Sequence, residues 1–439
     1  METMSTSKKQ SFAYKLLIFA SIFLYVVLTS SKNLYTAEKT TFAGLGTFGN
    51  FTDLASTMEY YFYTYAAMQI ALIFFVKKMN IKWFLTLTIG ASAVLTLIVP
   101  ITNEIGQHYV IFAINGVLQA GIWGCLLKVL SVHLPSRLLA TANQTMATGP
   151  AIAGALAYGI AAAFGDNWRA PFLLLGIILF AAVALYFFAA TYAARFPKEE
   201  EICHVKLADG TEADVSVDDS NDFIGLVTKR RIVFFYAASL IMGFLFTSLY
   251  FMVNNNIDIY FKEIGGFSND VSKWLTVFAP VFAVIGPTLC VRACEKRKNF
   301  IVVCAVFFGV ALCFAAILLI FFDKSVTVSL ILLVLFLVAV NGGRSITLSI
   351  ASLRMRSRID TGVYSTAVNA ISSLASGISP KIITVILDNT SLDTVESWRR
   401  SFLIIFIWTL AVVALLTTFI LLVRMLRKRD GKPASADKI

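Results

Sequence analysis

Twelve apolar segments account for most of this sequence, and each is long enough to cross a lipid bilayer. We predict them near residues 12–36, 56–76, 83–101, 108–130, 139–164, 169–194, 232–261, 272–291, 299–322, 327–351, 361–387 and 399–425. A helix of about 20 apolar residues spans the hydrocarbon core. Hydrophobic residues make up 58% of the chain and charged residues 14%, against roughly 25% charged in soluble domains. The sequence therefore predicts an all-α polytopic membrane protein with twelve transmembrane helices.

The second half of the chain repeats features of the first half. The positions matched at an offset of 341 − 115 = 226 are Asn115 and Asn341, Lys128 and Arg354, and Asn143 and Asn369. The run Trp168-Arg169 with Phe172 recurs as Trp398-Arg399 with Phe402, at an offset of 398 − 168 = 230. Parallel repeats in a polytopic membrane protein are typical of transporters with a substrate site between the halves. We expect two pseudo-symmetric six-helix bundles.

The polar segments set the domain boundaries. We predict an N-terminal bundle over residues 1–194, a cytoplasmic linker with little core of its own over 195–231, a C-terminal bundle over 232–426, and a cytoplasmic tail over 427–439. The apolar run at 16–29 is not followed by a cleavage site of small residues, so the first helix is expected to be retained.

The net charge of +11 reflects membrane topology and argues against nucleic-acid binding. If both termini are cytoplasmic, 27 of the 37 basic residues fall in inner segments, and 37 − 27 = 10 remain for outer loops and membrane depth. This distribution follows the positive-inside rule. We expect a monomer surrounded by lipid in a bacterial inner membrane.

The six cysteines give no sign of a metal site. Most lie inside apolar segments, where a free cysteine behaves as a small hydrophobic residue. Cys203-His204 lies in the linker without other ligands at the spacing that zinc sites use. We therefore predict neither a metal nor a cofactor, and we find no nucleophile and base pattern typical of an enzyme.

Arg344 is the first candidate for substrate binding. It precedes Arg358 by 14 residues, about 21 Å along a helix, and it follows Asn341 and two glycines that allow close approach of another helix. Because charges at membrane depth are costly and usually functional, we predict that Arg344 binds an anion, with Asn341 as a further candidate. A structural arginine bonded to carbonyl groups is the alternative.

Two lysines are weaker candidates of the same kind. Lys32 lies in the extension of the first span, and Lys381 follows Ser379-Pro380 in the eleventh. Lys32 is predicted to be an anion ligand, although a lysine near a helix end can also extend to the interface. For Lys381 that second interpretation is favoured.

Uncharged polar residues complete the predicted site. Gln119 and Trp123 are four residues apart on one face of the fourth span, and Asn254 belongs to a run of three asparagines in the seventh. Asn143 and Asn369 form a pseudo-symmetric pair that interhelical hydrogen bonding explains equally well.

Glu59 lies among four tyrosines at the start of the second span, where an aromatic belt at the interface is favoured over a cavity wall.

The acidic residues give little support to proton coupling. Glu38, Glu59 and Asp258 all fall toward the outer ends of their spans, and none lies clearly at the midplane. Exchange or facilitated flux of an anion is therefore favoured over a proton-driven mechanism.

The openings of spans six and twelve, at residues 166–172 and 397–402, resemble the repeat of the major facilitator superfamily. So do the two sets of six helices, the middle linker and the cytoplasmic termini. The resemblance covers nearly the whole chain and implies two bundles that rock about a central site. The loop at residues 75–82 departs from the family motif, since it keeps positive charges and lacks the glycines and the acid.

Three short runs are similar to the organophosphate:phosphate antiporter branch of that superfamily: residues 32–35, residues 118–124 followed by Lys128, and residues 260–264. The first resembles a run whose arginine binds phosphate. The resemblance places Tyr250 where a second phosphate-binding arginine belongs and Met146 where a histidine belongs. Arg344 is then a relocated cation, and the resemblance implies a different organic anion, such as a carboxylate.

Two other functions are compatible with the sequence. Gly149-Pro150, followed by Gly154, resembles the Gly-Pro motif of antiporters in the superfamily and suggests a proton-coupled exporter of drugs or metabolites. A sensor that kept the fold without turnover is the second alternative. We favour a secondary transporter of a phosphorylated or carboxylated metabolite, with Lys32, Gln119, Trp123, Tyr250, Asn254, Arg344 and Asn369 at its site.

Overall fold

A computed structural model of the chain describes residues 2–75, 79–196, 202–206, 212–216, 229–296, 300–347 and 361–429. These residues are helical apart from short connections and one antiparallel hairpin, in which Ile202–Lys206 pairs with Glu212–Ser216. The hairpin lies in the segment predicted as a linker and was not expected. Arg354 and the predicted tail beyond residue 429 lie outside the described residues.

The first six spans form the N-terminal half. Span 1 consists of Glu2–Ala37 and Lys39–Leu45, span 2 of Phe51–Phe75, span 3 of Ile81–Ile98 with a 3-10 turn at Val99–Ile101, span 4 of Ile105–Gln119 and Ile122–His133, span 5 of Ser136–Phe164, and span 6 of Arg169–Ala193. Buried apolar residues of spans 1, 3, 4, 5 and 6 form its main core.

The last six spans form the C-terminal half. Span 7 consists of Lys229–Asn254 and Ile257–Glu263, span 8 of Asn269–Ala283 and Ile285–Lys296, span 9 of Phe300–Phe321, span 10 of Val326–Ser345, span 11 of Thr361–Leu387, and span 12 of Thr394–Arg429. Its core is one cluster of buried residues drawn from all six spans.

The predicted membrane fold is confirmed. Eleven helical segments of the described chain are long and apolar enough to cross a membrane. The helix Phe51–Phe75 is also long enough at 25 residues, but Glu59, Gln69 and four tyrosines make it less apolar than the other spans. This polar composition fits a helix that turns one face to the other half.

The halves meet along two pairs of spans, because span 2 packs on span 11 and span 5 on span 8. Glycines permit the close approach at both contacts. A Cβ built on Gly154 would lie 3.2 Å from the Pro280 Cβ, and one on Gly377 would lie 3.3 Å from the Glu59 Cα. The Gly149-Pro150 motif with Gly154 thus has a packing role in this structure.

We call the end of the bundle that carries residues 196 and 229 the linker side, and the other end the far side. Because span 6 ends and span 7 begins on the linker side and consecutive spans alternate in direction, the loops at 46–50, 102–104, 165–168, 264–268, 322–325 and 388–393 lie on the far side.

Candidate functional site

Lys32 and Arg344 approach each other from opposite halves of the molecule. Lys32 lies on span 1 and Arg344 near the end of the described part of span 10, and each side chain is half-buried. They are close enough for mutual electrostatic repulsion. Two like charges within electrostatic range of each other inside a membrane are costly, so they need a specific compensation.

Aromatic rings supply part of that compensation. The Lys32 Nζ lies 5.3 Å from the centre of the Phe62 ring and 5.7 Å from that of Tyr61. The Arg344 Cζ lies 5.1 Å from the Tyr250 ring centre and 5.6 Å from that of Phe251. The negative face of an aromatic ring attracts a cation, by about 0.5–2 kcal/mol.

The two cation sites are joined by a ring contact between the halves. The Phe62 and Phe251 ring centres are 6.1 Å apart in an edge-on arrangement. Each ring therefore contacts the cation of its own half and the ring of the other half.

Neither cation has a carboxylate partner among the residues that the structure describes. Arg344 donates from Nε to the Thr247 hydroxyl at 3.3 Å and from one terminal nitrogen to the Asn341 Oδ1 at 3.3 Å. Asn341 in turn donates to the Ala283 carbonyl at 2.9 Å. These neutral contacts orient the guanidinium and leave its charge uncompensated, which is what an anion ligand requires.

Gln119 is close to the site, with its amide already bonded. It accepts from the Tyr61 hydroxyl at 2.8 Å and donates to the Ser92 hydroxyl at 2.8 Å. It lines a small cavity together with Lys32 and Asn115, whose buried Oδ1 has no partner. The structure thus gives Gln119 a role in positioning Tyr61 under Lys32.

Trp123 does not share a helical face with Gln119, since span 4 is interrupted at Ala120-Gly121 between the two helices. Its indole packs against Tyr25, with ring centres 5.3 Å apart. Tyr25 is within electrostatic range of Arg344, so Trp123 contacts the site through this tyrosine.

The predicted asparagines differ in their surroundings. Asn254 donates to the Asn255 Oδ1 at 3.2 Å, and its own Oδ1 is buried without a partner. Asn369 interacts with the Tyr65 hydroxyl of the other half. Asn143 is half-buried on span 5, and within the described chain its side chain has no hydrogen bond.

Glu59 and Lys381 bind each other across the two halves. Their carboxylate oxygen and Nζ are 2.7 Å apart, and Glu59 also accepts from the Tyr63 hydroxyl. Both were possible substrate ligands in the sequence. In this conformation they form a contact between spans 2 and 11 on the far side of Lys32.

The far side is closed by further contacts that the sequence did not predict. Lys273 and Glu38, both fully buried, form an ion pair at 2.7 Å. Lys39 donates to the Asn255 carbonyl at 2.6 Å and to the Asn256 Oδ1 at 2.8 Å. The sequence predicted Glu38 toward the outer end of its span; it directly follows the helix Glu2–Ala37 and is completely buried.

A helix cap also crosses this interface. The Asp388 carboxylate accepts from the backbone N–H of Phe51 at 3.3 Å and of Thr52 at 2.6 Å. The first N–H groups of a helix have no partner within it, and a carboxylate there also interacts favourably with the helix dipole. Span 2 is thus capped by the other half, and the cap is lost when the halves separate.

One signal in the sequence pointed to these residues. Ten basic residues remained outside the inner segments, and Lys39 and Lys273 are among them. Which acid or carbonyl each one binds depends on which spans meet across the halves.

Within the described residues, no group of three or more His, Cys, Asp or Glu side chains is placed to hold a metal ion.

Comparisons with known proteins identify the family of this architecture. A family model described as "Major Facilitator Superfamily" matches residues 16–380. No curated protein matches the chain at a significant level.

Three solved structures share the fold. A bacterial homolog to the human lysosomal transporter Spinster, inward-facing and unoccupied, is 13% identical over 92% of this chain and 96% of that one, with a TM-score of 0.70. Its inward-facing and occupied form gives 14% identity, 91% and 95% coverage and a TM-score of 0.66. The nucleoside transporter NupG, as a D323A mutant, is 10% identical over 92% of this chain and 99% of that one, with a TM-score of 0.62.

Proposed function

The chain belongs to the major facilitator superfamily of transporters, and on that premise we propose that it moves a small organic anion across the membrane by alternating access. The observation that carries this proposal is the pair of cations, Lys32 and Arg344, which face each other from opposite halves without a carboxylate partner in the described residues. A ligand of negative charge is the simplest compensation.

The chemistry of the two cations favours a carboxylate or a phosphate group. The guanidinium of an arginine presents a planar set of donors that matches two oxygens at once, whereas a lysine supplies a compact point charge. An anion bound by Arg344 and Lys32 together contacts both halves. It would therefore favour the state in which the halves close around it, which is the coupling that alternating access needs.

The position of Arg344 supports the idea of a relocated cation. Tyr250 stands where the organophosphate:phosphate antiporter branch would place an arginine, and the Arg344 guanidinium lies 5.1 Å from the Tyr250 ring. A positive charge from span 10 thus reaches the space next to the span 7 position. We propose a phosphorylated or carboxylated metabolite as substrate, moved by exchange.

The described conformation fits one end of the transport cycle. Four groups of contacts close the far side: Glu38 with Lys273, Lys39 with the asparagines of span 7, Glu59 with Lys381, and Asp388 with the start of span 2. Lys32 precedes Lys39 by seven residues, about 10 Å. The site thus lies directly below a closed interface.

By the distribution of basic residues we place both termini in the cytoplasm of a bacterial cell and treat the protein as a monomer.

Uptake into proteoliposomes tests this proposal. Arg344→Ala should abolish uptake of phosphorylated and carboxylated metabolites, because loss of a charged partner costs about 2 kcal/mol or more, over tenfold in affinity. Arg344→Lys should retain part of it. Arg400→Ala is the matched control, since Arg400 is exposed and forms an ion pair with Glu396 of its own helix.

Normal uptake by Arg344→Ala would rule out this site. Transport of lipophilic cations that follows a pH gradient would instead favour the exporter alternative. Binding without any transfer across the membrane would favour a sensor.

A further inference from the structure

Asn115 is a buried polar residue beside the anion site, and its acceptor atom is unused. It lies on span 4, four residues before Gln119, so the two side chains leave one face of the helix. Only 4% of its surface is exposed. Its Oδ1 is buried and has no hydrogen-bond partner within the described residues. Because a buried acceptor without a donor is costly, this atom calls for a donor.

Asn115 and Lys32 border one small cavity in the N-terminal half. The cavity, which Tyr61 also borders, has room for a group of about the size of one water molecule. Lys32 is in addition within electrostatic range of Arg344 of the other half. Since Lys32 adjoins both the cavity and the space between the halves, a ligand held by its ammonium group can extend a small substituent toward Asn115.

The hydroxyl groups around the cavity do not supply the missing donor. The hydroxyls of Ser31 and Thr96 each donate to a backbone carbonyl of their own helix, at 2.8 and 2.9 Å. The Tyr61 hydroxyl donates to the Gln119 Oε1 at 2.8 Å. A hydroxyl has one proton to donate, and each of these three protons is in use. The donor for Asn115 is therefore expected from a ligand.

The internal repeat supports this expectation. Asn115 holds the position in the first half that Asn341 holds in the second. The Asn341 Oδ1 accepts a hydrogen bond at 3.3 Å from Arg344, the cation of its own half. Lys32 gives Asn115 no such bond, because its Nζ lies against the rings of Phe62 and Tyr61. The acceptor that orients a cation in one half is thus left for a ligand in the other.

We propose that Asn115 binds a hydroxyl group of the transported anion, so that the substrate is a hydroxylated organic anion. An ionised carboxylate or phosphate group has no proton to donate to the Asn115 Oδ1, whereas a hydroxyl elsewhere in the same ligand has one. The anionic group binds Lys32 and Arg344, and the hydroxyl enters the cavity. This inference rests on the proposed function and makes Asn115 a specificity-determining residue of it.

Pairs of anions that differ in one hydroxyl test the proposal. The probes are malate against succinate and 2-hydroxyethyl phosphate against ethyl phosphate, titrated into the purified protein by calorimetry. In at least one pair, the hydroxylated member should bind about tenfold more tightly or better, because a ligand without the hydroxyl leaves the Asn115 acceptor unpaired. Equal affinities within both pairs overturn the proposal, and this result needs no variant.

Variants assign the preference to Asn115. Asn115→Leu removes the acceptor at similar size and should bind both members of the pair with equal affinity. Asn167→Leu is the matched control, because Asn167 is exposed in the far-side loop at 165–168; it should keep the preference. Should Asn115→Leu not fold, Asn115→Ala is expected to show the same loss. A preference that either folded Asn115 variant retains overturns the proposal, and a general loss of folded protein does not change the ratio within a pair.

Arg344→Ala separates this proposal from the anion site. It should weaken the binding of both members of a pair. Binding as strong as in the wild type would overturn the anion site and this inference with it. If Arg344→Ala weakens both members and the wild type shows no preference, only the hydroxyl site fails. If none of the four probes binds, this inference fails, and uptake of other metabolites decides on the anion site.

Discussion

Charged side chains at the contact between the halves differ in how they are compensated. Glu38 and Lys273 form a pair that is completely buried, whereas the side chains of Lys381 and Glu59 remain 35% and 14% exposed. Burial strengthens the attraction within a pair and raises the cost of leaving one partner alone. The two ion pairs should therefore contribute very differently to closure of the far side.

Lys273→Met should destabilise the far-side-closed state by about 3–5 kcal/mol, because it leaves the Glu38 carboxylate buried without a counter-charge. The distance between two spin labels, attached at the exposed far-side positions of Glu104→Cys and Thr390→Cys, should lengthen, and the melting temperature of the purified protein should fall. The double variant Glu38→Leu with Lys273→Met should recover most of the loss. A double variant as unstable as the single one would contradict this explanation.

Lys381→Met should have a much smaller effect, about 0–1 kcal/mol, as is usual for pairs that solvent reaches. A double-mutant cycle with Glu59→Gln measures the coupling directly through the melting temperature. An effect as large as that of Lys273→Met would show that burial does not determine how much each ion pair stabilises the far-side-closed state.

Helix interruptions place the far-side contacts. The first helix of span 7 ends at Asn254 and the second begins at Ile257. The carbonyl of Asn255, between them, is therefore free to accept a hydrogen bond from the Lys39 Nζ at 2.6 Å. Carbonyl groups released by such a break need another donor within a membrane. The interruption of span 7 in one half therefore receives its hydrogen bond from Lys39 of the other half, and this bond exists only when the far side is closed.

Close packing of spans 2 and 11 is the second condition for closure. A Cβ at Gly377 would lie 3.1 Å from the Phe62 Cβ and 3.3 Å from the Glu59 Cα. Gly377→Leu should therefore keep the halves apart, which lengthens the distance between spin labels at positions 104 and 390. Gly309→Leu on span 9 is the matched control, since a Cβ there meets nothing within 4 Å. Equal distances in the two variants would contradict the role of Gly377.

The sequence predicted the spans well because their apolar length is a local property. Span 6 was predicted over 169–194 and is Arg169–Ala193; span 11 was predicted over 361–387 and is Thr361–Leu387. The interruptions at Ala120-Gly121 and Asn255-Asn256 were not predicted, because the apolar stretches before and after each one together have the length of a single span. The hairpin formed by Ile202–Lys206 and Glu212–Ser216 was not predicted, because its strands are short and lie in a polar segment.

Across the whole molecule, contacts between distant residues limited what the sequence could predict. Lys39 and Asn255 are 216 residues apart, and Lys273 and Glu38 are 235 apart. Hydrophobic periodicity does not specify such pairs, because each depends on which spans meet. The internal repeat identified the two halves, yet Lys32 and Arg344 lie on spans 1 and 10, which the repeat does not relate. That they face each other followed only from the structure.

Binding of an anion between the two halves is the central claim, and thermal stability of the purified protein tests it most directly. A ligand that binds the native state raises the melting temperature. Among phosphorylated and carboxylated metabolites, at least one should stabilise the wild-type protein, and the same compound should leave Lys32→Ala and Arg344→Ala unchanged. Equal stabilisation of the wild type and both variants, or stabilisation by neutral compounds and lipophilic cations alone, would contradict an anion site at Lys32 and Arg344.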